Sequence, residues 1–226
     1  MLRVDNLRKG FGSGRRRLEV LKGINLKVEK GELVSLMGPS GCGKSTLLNI
    51  IGGLLEADSG KITLGSFEYG TKSPNKVVDV RRSGVGWIFQ DFHLVERLTA
   101  LDNVIFSLEL SGIPSAEAED RARKALERVG LGDRMNFIPD QLSGGQQQRV
   151  AICRALVMKP KLILADEPTG NLDSVTARQI MKILCDLNCD QGITVVLVTH
   201  EREIAQHGNR LIKMRDGIIH DDETLR

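Results

Sequence analysis

Gly38-Pro39-Ser40-Gly41-Cys42-Gly43-Lys44-Ser45-Thr46 is the stretch that decides the fold. It fits the pattern GxxxxGK[ST]. The apolar run 32–37 leads into it, and a helical pattern starting at Lys44 carries Leu-Leu-Asn-Ile-Ile-Gly-Gly away from it. In a strand–loop–helix frame the glycines let the backbone turn tightly, so that successive N–H groups face phosphate oxygens. The dipole of the following helix adds positive potential there. The spacing predicts Lys44 at the β- and γ-phosphates of a nucleotide and Ser45 as a ligand of Mg²⁺.

The complement of this loop lies far along the chain. Lys161-Leu162-Ile163-Leu164-Ala165-Asp166-Glu167 reads as a buried strand that delivers two carboxylates to one edge of a sheet. In open α/β sheets that edge is where ligands bind. Asp166 is suited to holding Mg²⁺ through water. Glu167 is suited to orienting and deprotonating an attacking water. A guanine-reading NKxD segment is missing: the nearest match, Asn75-Lys76-Val77-Val78, has no aspartate.

A third segment is Leu142-Ser143-Gly144-Gly145-Gln146-Gln147-Gln148-Arg149. Ser143 and Gln146 have the spacing of a helix capping box. Gly144 and Gly145 would let a phosphate approach bare backbone. This helix start is therefore expected to be a second anion site. One lysine-bearing loop with two anion-binding helix starts suggests that sites are shared between copies.

With these three segments the sequence resembles the ATP-binding cassette (ABC) family over nearly its whole length. The resemblance implies ATP and Mg²⁺ as cofactors, and a homodimer in which Ser143, Gly144, Gly145 and Gln146 of one copy cover the γ-phosphate held by the other. It also implies roles for further residues in chain order. Gln90, closing Gly-Val-Gly-Trp-Ile-Phe-Gln, resembles the glutamine that contacts Mg²⁺ and senses the membrane partner. His200, after Ile-Thr-Val-Val-Leu-Val-Thr, resembles the histidine that contacts the γ-phosphate. Gly170-Asn171-Leu172-Asp173 resembles the loop whose aspartate, Asp173, reaches across the dimer. Phe11 falls where the family often has an adenine-stacking tyrosine; its face can still stack, without a tip hydroxyl. Glu167-Pro168-Thr169-Gly170-Asn171-Leu172-Asp173-Ser174 is similar to bacterial cassettes for lipoprotein release, macrolide or peptide export, haem efflux and cell-division signalling. The implied function is an ATPase subunit driving a separate integral-membrane permease; the alternative is a cell-division-type regulator that transports nothing.

Strand patterns recur at 61–64, 85–89 and in the Ile-Thr-Val-Val-Leu-Val-Thr run, and helical spacing covers 101–110, 115–129 and 174–188. Apolar strands alternating with helices predict an α/β P-loop NTPase core around a mostly parallel sheet. An N-terminal antiparallel β-subdomain is expected to precede it, and a helical subdomain to be inserted. The expected division is 1–90 and 159–226 for the core and 91–158 for the helical insertion. After Gln90, Asp91-Phe92-His93-Leu94 suits an exposed docking groove for a short helix of a membrane partner; the alternative is that Phe92 and Leu94 are core residues.

Lysine and arginine exceed the acids by 32 to 29, too small an excess to argue for nucleic acid. Arg15-Arg16-Arg17 reads as a solvated loop. No stretch approaches the ~20 apolar residues of a membrane span, and the first residues lack a signal-peptide core. The expected location is cytoplasmic, peripheral on the inner face of the plasma membrane. Cys42, Cys153, Cys185 and Cys189 form no CxxC pair and read as buried thiols in a reducing compartment.

Overall fold

The computed structural model describes residues 1–225, and of Arg15 the backbone alone. The chain opens with β1 (Leu2–Phe11) and β2 (Leu18–Val28), paired antiparallel. It continues into β3 (Leu33–Met37), the phosphate-loop motif and helix α1 (Lys44–Ile51). Strands β4 (Ser59–Leu64) and β5 (Phe67–Gly70) then return to β1, giving an antiparallel sheet of order β2-β1-β4-β5. Alternation along β2 and β4 puts one face of this sheet against the core.

After β6 (Val85–Phe89) come helices α2 (Ala100–Glu109), α3 (Ser115–Arg128) and α4 (Gly144–Leu156). The chain then alternates: β7 (Leu162–Asp166), α5 (Ser174–Gln191), β8 (Thr194–Val198), the short α6 (Arg202–Ala205), β9 (Arg210–Arg215) and β10 (Ile218–Thr224). The second sheet runs β10-β9-β3-β8-β7-β6. Its pairs are parallel except β9 with β10. Every residue of β8 is buried, as are the first four of β7 and of β3. Strands covered on both faces lose the alternation and read as continuous apolar runs.

Three apolar cores result. The first lies between the antiparallel sheet, β3 and α1, and includes Leu47, Leu48, Ile50 and Ile51. All four are fully buried, and each stabilises by about 1.5–3 kcal/mol. The second joins α4 and α5 to the opposite face of the parallel sheet through Ile152, Ile180, Met181 and Leu197. The third belongs to α2, α3 and α4, with Val104, Leu108, Leu126 and Val150 at its centre.

The register of the parallel strands creates the functional edge. Phe89, Asp166 and Val198 are aligned across β6, β7 and β8, and Leu36 of β3 pairs with Val198. All four strands therefore end side by side. The residues that follow, from Gly38, Gln90, Glu167 and His200 onward, emerge along one line.

Several features lie outside the sequence expectations. Strands β5, β9 and β10 carry no clear periodicity, and Val80–Gly84 forms a single π-helical turn before β6. Arg15-Arg16-Arg17 is not simply a solvated loop: Gly14–Arg16 forms a 3₁₀ turn and the Arg17 guanidinium binds Asp58 at 2.7 Å. Cys42 and Cys153 are buried as expected, but Cys185 is half-buried and Cys189 exposed. The buried line of α5 runs through Ala177, Ile180, Met181, Leu184 and Asn188, and Cys189 lies off it.

Candidate functional site

The phosphate loop is built as a turn that only glycine fits. Gly43 stands at φ +104°, immediately before α1, and a Cβ there would lie 2.8 Å from a methyl of Leu21. An L-residue is thus excluded twice, by its backbone and by its neighbour. No side chain caps α1, so its first amides remain available to a ligand. Lys44 is only 7% exposed, and its ammonium donates to the carbonyls of Gly38 (2.8 Å) and Pro39 (3.0 Å). Val20, Ser40, Gly41, Lys44, Thr46 and Glu167 are among the residues around a cavity of about 380 Å³. Cys42, inside the motif, is buried in the first core rather than facing this cavity.

An adjoining cavity of about 270 Å³ is bordered by Ser45, Gln90, Asp91, Asp166 and Glu167. Burial pushes the Asp166 carboxyl above the usual carboxylate range; the Ser45 hydroxyl bond and Lys44 pull it back, while Glu167 adds to the rise. Glu167 sits at φ +49°, a left-handed conformation for a residue with a Cβ. Its backbone N–H donates to Val198 and its carbonyl accepts from Gly170, which hold the turn. Its carboxylate Oε2 lies 3.1 Å from His200 Nδ1. Gln90 is tied to the loop after Glu167: its amide donates to Asn171 Oδ1 at 3.1 Å, and Asn171 donates back to Asp91 Oδ1 at 2.8 Å.

Helix α4 begins as the capping box predicts. Ser143 Oγ accepts from the Gln146 N–H at 3.4 Å, and Gln146 Oε1 accepts from the Ser143 N–H at 2.9 Å. The glycines have an additional role. Gly145 is buried, and a Cβ there would sit 2.3 Å from Thr176 Cγ2 on α5. Close helix packing therefore requires Gly145. Asp173 caps α5, accepting from the N–H groups of Val175 and Thr176 at 3.0 Å each and from Thr176 Oγ1 at 2.5 Å. The Thr176 hydroxyl bond, then the amide bonds, lower its carboxyl below the usual range.

The structure thus brings Lys44, Ser45, Gln90, Asp166, Glu167 and His200 to one edge. Ser143, Gly144, Gly145 and Gln146 border neither cavity of that edge. Phe11 stands 45% exposed at the end of β1, so it is no core residue. Phe92 and Leu94 are half-buried rather than open, and Leu94 packs on the third core.

Two side chains that tie the edge together escaped the sequence reading. Gln148, fully buried on α4, donates to the carbonyls of Phe89 (3.2 Å) and Pro168 (2.5 Å). Arg154, two turns further on, donates to the carbonyl of Phe92 at 2.8 Å and to that of His93. Both Phe92 and His93 have positive φ. One helix therefore grips the segments following Gln90 and Glu167. The only sequence signal was the glutamine run itself, which does not say which of its members turns inward.

Comparisons with known proteins agree with this arrangement. The ABC transporter family model matches residues 21–170. An ABC transporter ATP-binding protein of Methanocaldococcus jannaschii, MJ1508, is 50% identical over 97% of each chain. The lipoprotein-releasing system ATP-binding protein LolD of Geobacter metallireducens is 44% identical over 97% of each chain. The macrolide export ATP-binding/permease protein MacB of Bdellovibrio bacteriovorus is 47% identical over the whole chain, which spans only 34% of that longer protein. Among solved structures, the ATP-binding cassette MJ0796, a dimer in a post-hydrolysis state bound to ADP and Pi, superposes with a TM-score of 0.91 at 42% identity, covering 100% of this chain and 99% of that one. On its motifs, its fold and these relatives, the chain belongs to the ABC transporter family, as an ATP-binding and ATP-hydrolysing cassette.

Proposed function

We propose that two copies of this chain close face to face around two ATP molecules and drive a separate membrane permease of the export or lipoprotein-release type. One observation carries this reading. The lysine, the carboxylates and the histidine share one edge, while the capped serine–glycine helix start lies outside the cavities of that edge. A second copy supplies what one copy lacks. In this reading Lys44 opposes the β- and γ-phosphates, Glu167 accepts a proton from the attacking water, and His200 contacts the γ-phosphate. Ser143, Gly144 and Gly145 of the partner copy close over that phosphate, and Asp173 approaches from the same side.

The donor set fits Mg²⁺ held together with a nucleotide. Among the described residues no three His, Cys, Asp or Glu side chains form a cage for a metal. Ser45 and Asp166 border the same cavity, and the Ser45 hydroxyl is among the groups that draw the Asp166 carboxyl back down. Magnesium commonly takes one or two protein oxygens and completes its shell with water and phosphate. Ser45 and Asp166 would hold it, with Gln90 beside them, and the ion would neutralise charge on the phosphates.

The groove between β6 and α2 is the proposed permease contact. It is bordered by Arg81, Arg82, Trp87, Phe89, Leu110 and Met158, among others. It adjoins Gln90 and thus links a docked helix to the catalytic edge. The division into a core of 1–90 and 159–226 and an insertion of 91–158 matches this mechanics, because α4 joins the two units. Among the described residues no helix is long and apolar enough to cross a membrane. The proposed location is the cytoplasmic face, held there by the permease.

The deciding experiment is sedimentation of Glu167→Gln, which is expected to bind ATP without rapid turnover. It is expected to double in mass with ATP and Mg²⁺ and to stay monomeric with ADP. A mass unchanged at saturating ATP would refute ATP-driven closure. The energetic reason is differential: only ATP carries the group that completes the partner's anion site.

A further inference from the structure

Asp58 has no place in the mechanism above, yet it gathers three donors. Its carboxylate accepts from the Gly10 N–H at 2.6 Å, Arg17 Nη2 at 2.7 Å and Lys9 Nζ at 3.4 Å. Its own backbone N–H donates to the Arg8 carbonyl at 2.9 Å. It belongs to the turn before β4, whereas every group it holds belongs to the open end of the β1–β2 hairpin. Burial alone would raise this carboxyl; the Gly10 amide, Lys9 and Arg17 outweigh that and keep it below the ordinary aspartate range. It is therefore an anion anchored by the groups it anchors.

That hairpin end is where Phe11 and Leu18 face each other as cross-strand partners. Both are exposed, Phe11 by 45% and Leu18 by 68%. Val20, two residues along β2 from Leu18, borders the phosphate cavity. Two strand residues span ~7 Å, the order of the reach from a bound phosphate across a ribose to its base. The ladder between β1 and β2 slips between Lys9 and Gly10, one residue before Phe11. Such an irregularity re-aims the next side chain and needs something to fix it. Asp58 binds the Gly10 amide at the slip. Lys9 Nζ, held by the same carboxylate, stands 5.6 Å from the Phe11 ring centroid.

We propose that Asp58 is a positioning residue for the nucleotide base: by pinning Gly10, Lys9 and Arg17 it holds the Phe11–Leu18 end of the hairpin as a pre-formed apolar platform for the base. This rests on the reading of Phe11 as the base-stacking residue. Without Asp58 the hairpin end frays, and the base must order its own platform on binding, at a cost in affinity.

The test uses ADP and ribose 5-diphosphate, which differ only in the base. Neither carries a γ-phosphate, so dimer closure does not enter. Dissociation constants are measured by calorimetry on the full chain. Phe11→Ala is expected to weaken ADP by about fivefold or more, the low end of base–aromatic stacking. Asp58→Asn, which keeps the shape and removes the charge, is expected to weaken ADP by about three- to tenfold through lost pre-organisation. Both variants should bind ribose 5-diphosphate like the parent. A loss by Phe11→Ala with parental ADP affinity in Asp58→Asn overturns the role of Asp58 and spares the Phe11 reading. Parental ADP affinity in Phe11→Ala overturns both. Equal losses on the two ligands in Asp58→Asn mean a distorted phosphate loop and also overturn the proposal. If Asp58→Asn fails to fold, Arg17→Met is read by the same pair. It cuts one of the three tethers from an exposed side chain and should give a smaller loss on ADP alone; no loss overturns the proposal.

Discussion

The two glycine-rich helix starts look alike in sequence and are built for opposite purposes. At α1 nothing caps the helix: Gly43 is left-handed, and the nearest cation folds back onto the carbonyls of its own loop. At α4 the cap is made in full by Ser143 and Gln146, and Gly145 is pressed against Thr176. The first start is open and waits for an anion. The second has its Gln146 N–H capped by Ser143 within the chain and is braced by a neighbouring helix. An open site binds a ligand by itself. A capped, braced one serves as a rigid surface to be brought up to a ligand already bound elsewhere. This difference gives a structural reason for a division of labour between two copies.

The comparison can be broken most forcefully on the open side. Glu167→Gln should slow steady-state ATP hydrolysis by about 10²–10⁴-fold, the usual loss for a general base, and leave nucleotide binding intact. Unchanged turnover would remove Glu167 from the chemistry. Lys44→Ala comes next: losing charge-assisted bonds to phosphate should weaken ADP binding by the isolated subunit about 10–100-fold. If the subunit binds ADP as before, the α1 start is not the primary anion site.

The braced side should respond differently. Gly145→Ala forces a methyl into Thr176 and should destabilise the fold by about 1–3 kcal/mol in urea denaturation. Adding Thr176→Ser removes the offending methyl, keeps the hydroxyl that serves Asp173, and should restore most of that loss. Failure of this rescue would mean that Gly145 answers to something other than α5. The smallest effect belongs to Ser143→Ala, which forfeits a helix cap worth about 1 kcal/mol. It should leave ADP binding by the monomer untouched while reducing ATP-driven dimerisation. A monomer that loses ADP affinity in this variant would contradict the separation of the two starts.

Those parts of the site that depend on neighbours in sequence were legible. The phosphate loop, the Leu162–Asp166 strand and the Ser143–Gln146 box are local patterns whose geometry follows from spacing. The parallel sheet followed from its unbroken apolar strands. Contacts between distant segments were not legible. Nothing in Gly144-Gly145 announces Thr176, thirty-one residues later, and nothing in Asp58 announces Gly10 and Arg17. Strand β10 was not legible because it lies on an edge, where exposed and charged residues replace periodicity. Whether Phe92 and Leu94 were open or in the core could not be read locally; both are half-buried, and Leu94 packs on the third core.

The left-handed backbone at Glu167 has a consequence beyond chemistry. An L-residue with a Cβ gives up roughly 1–2 kcal/mol to stand there, and glycine would not. Drift under selection for stability alone would therefore tend to replace this glutamate, since the conformation is fixed by the bonds from its amide to Val198 and from Gly170 to its carbonyl. A duplicated gene released from its ATPase duty should show the change here early, while its sheet and helices remain intact. With Glu167 as the base of the proposed hydrolysis, a carboxylate kept at residue 167 against its own backbone would mark a lineage under selection to turn over nucleotide.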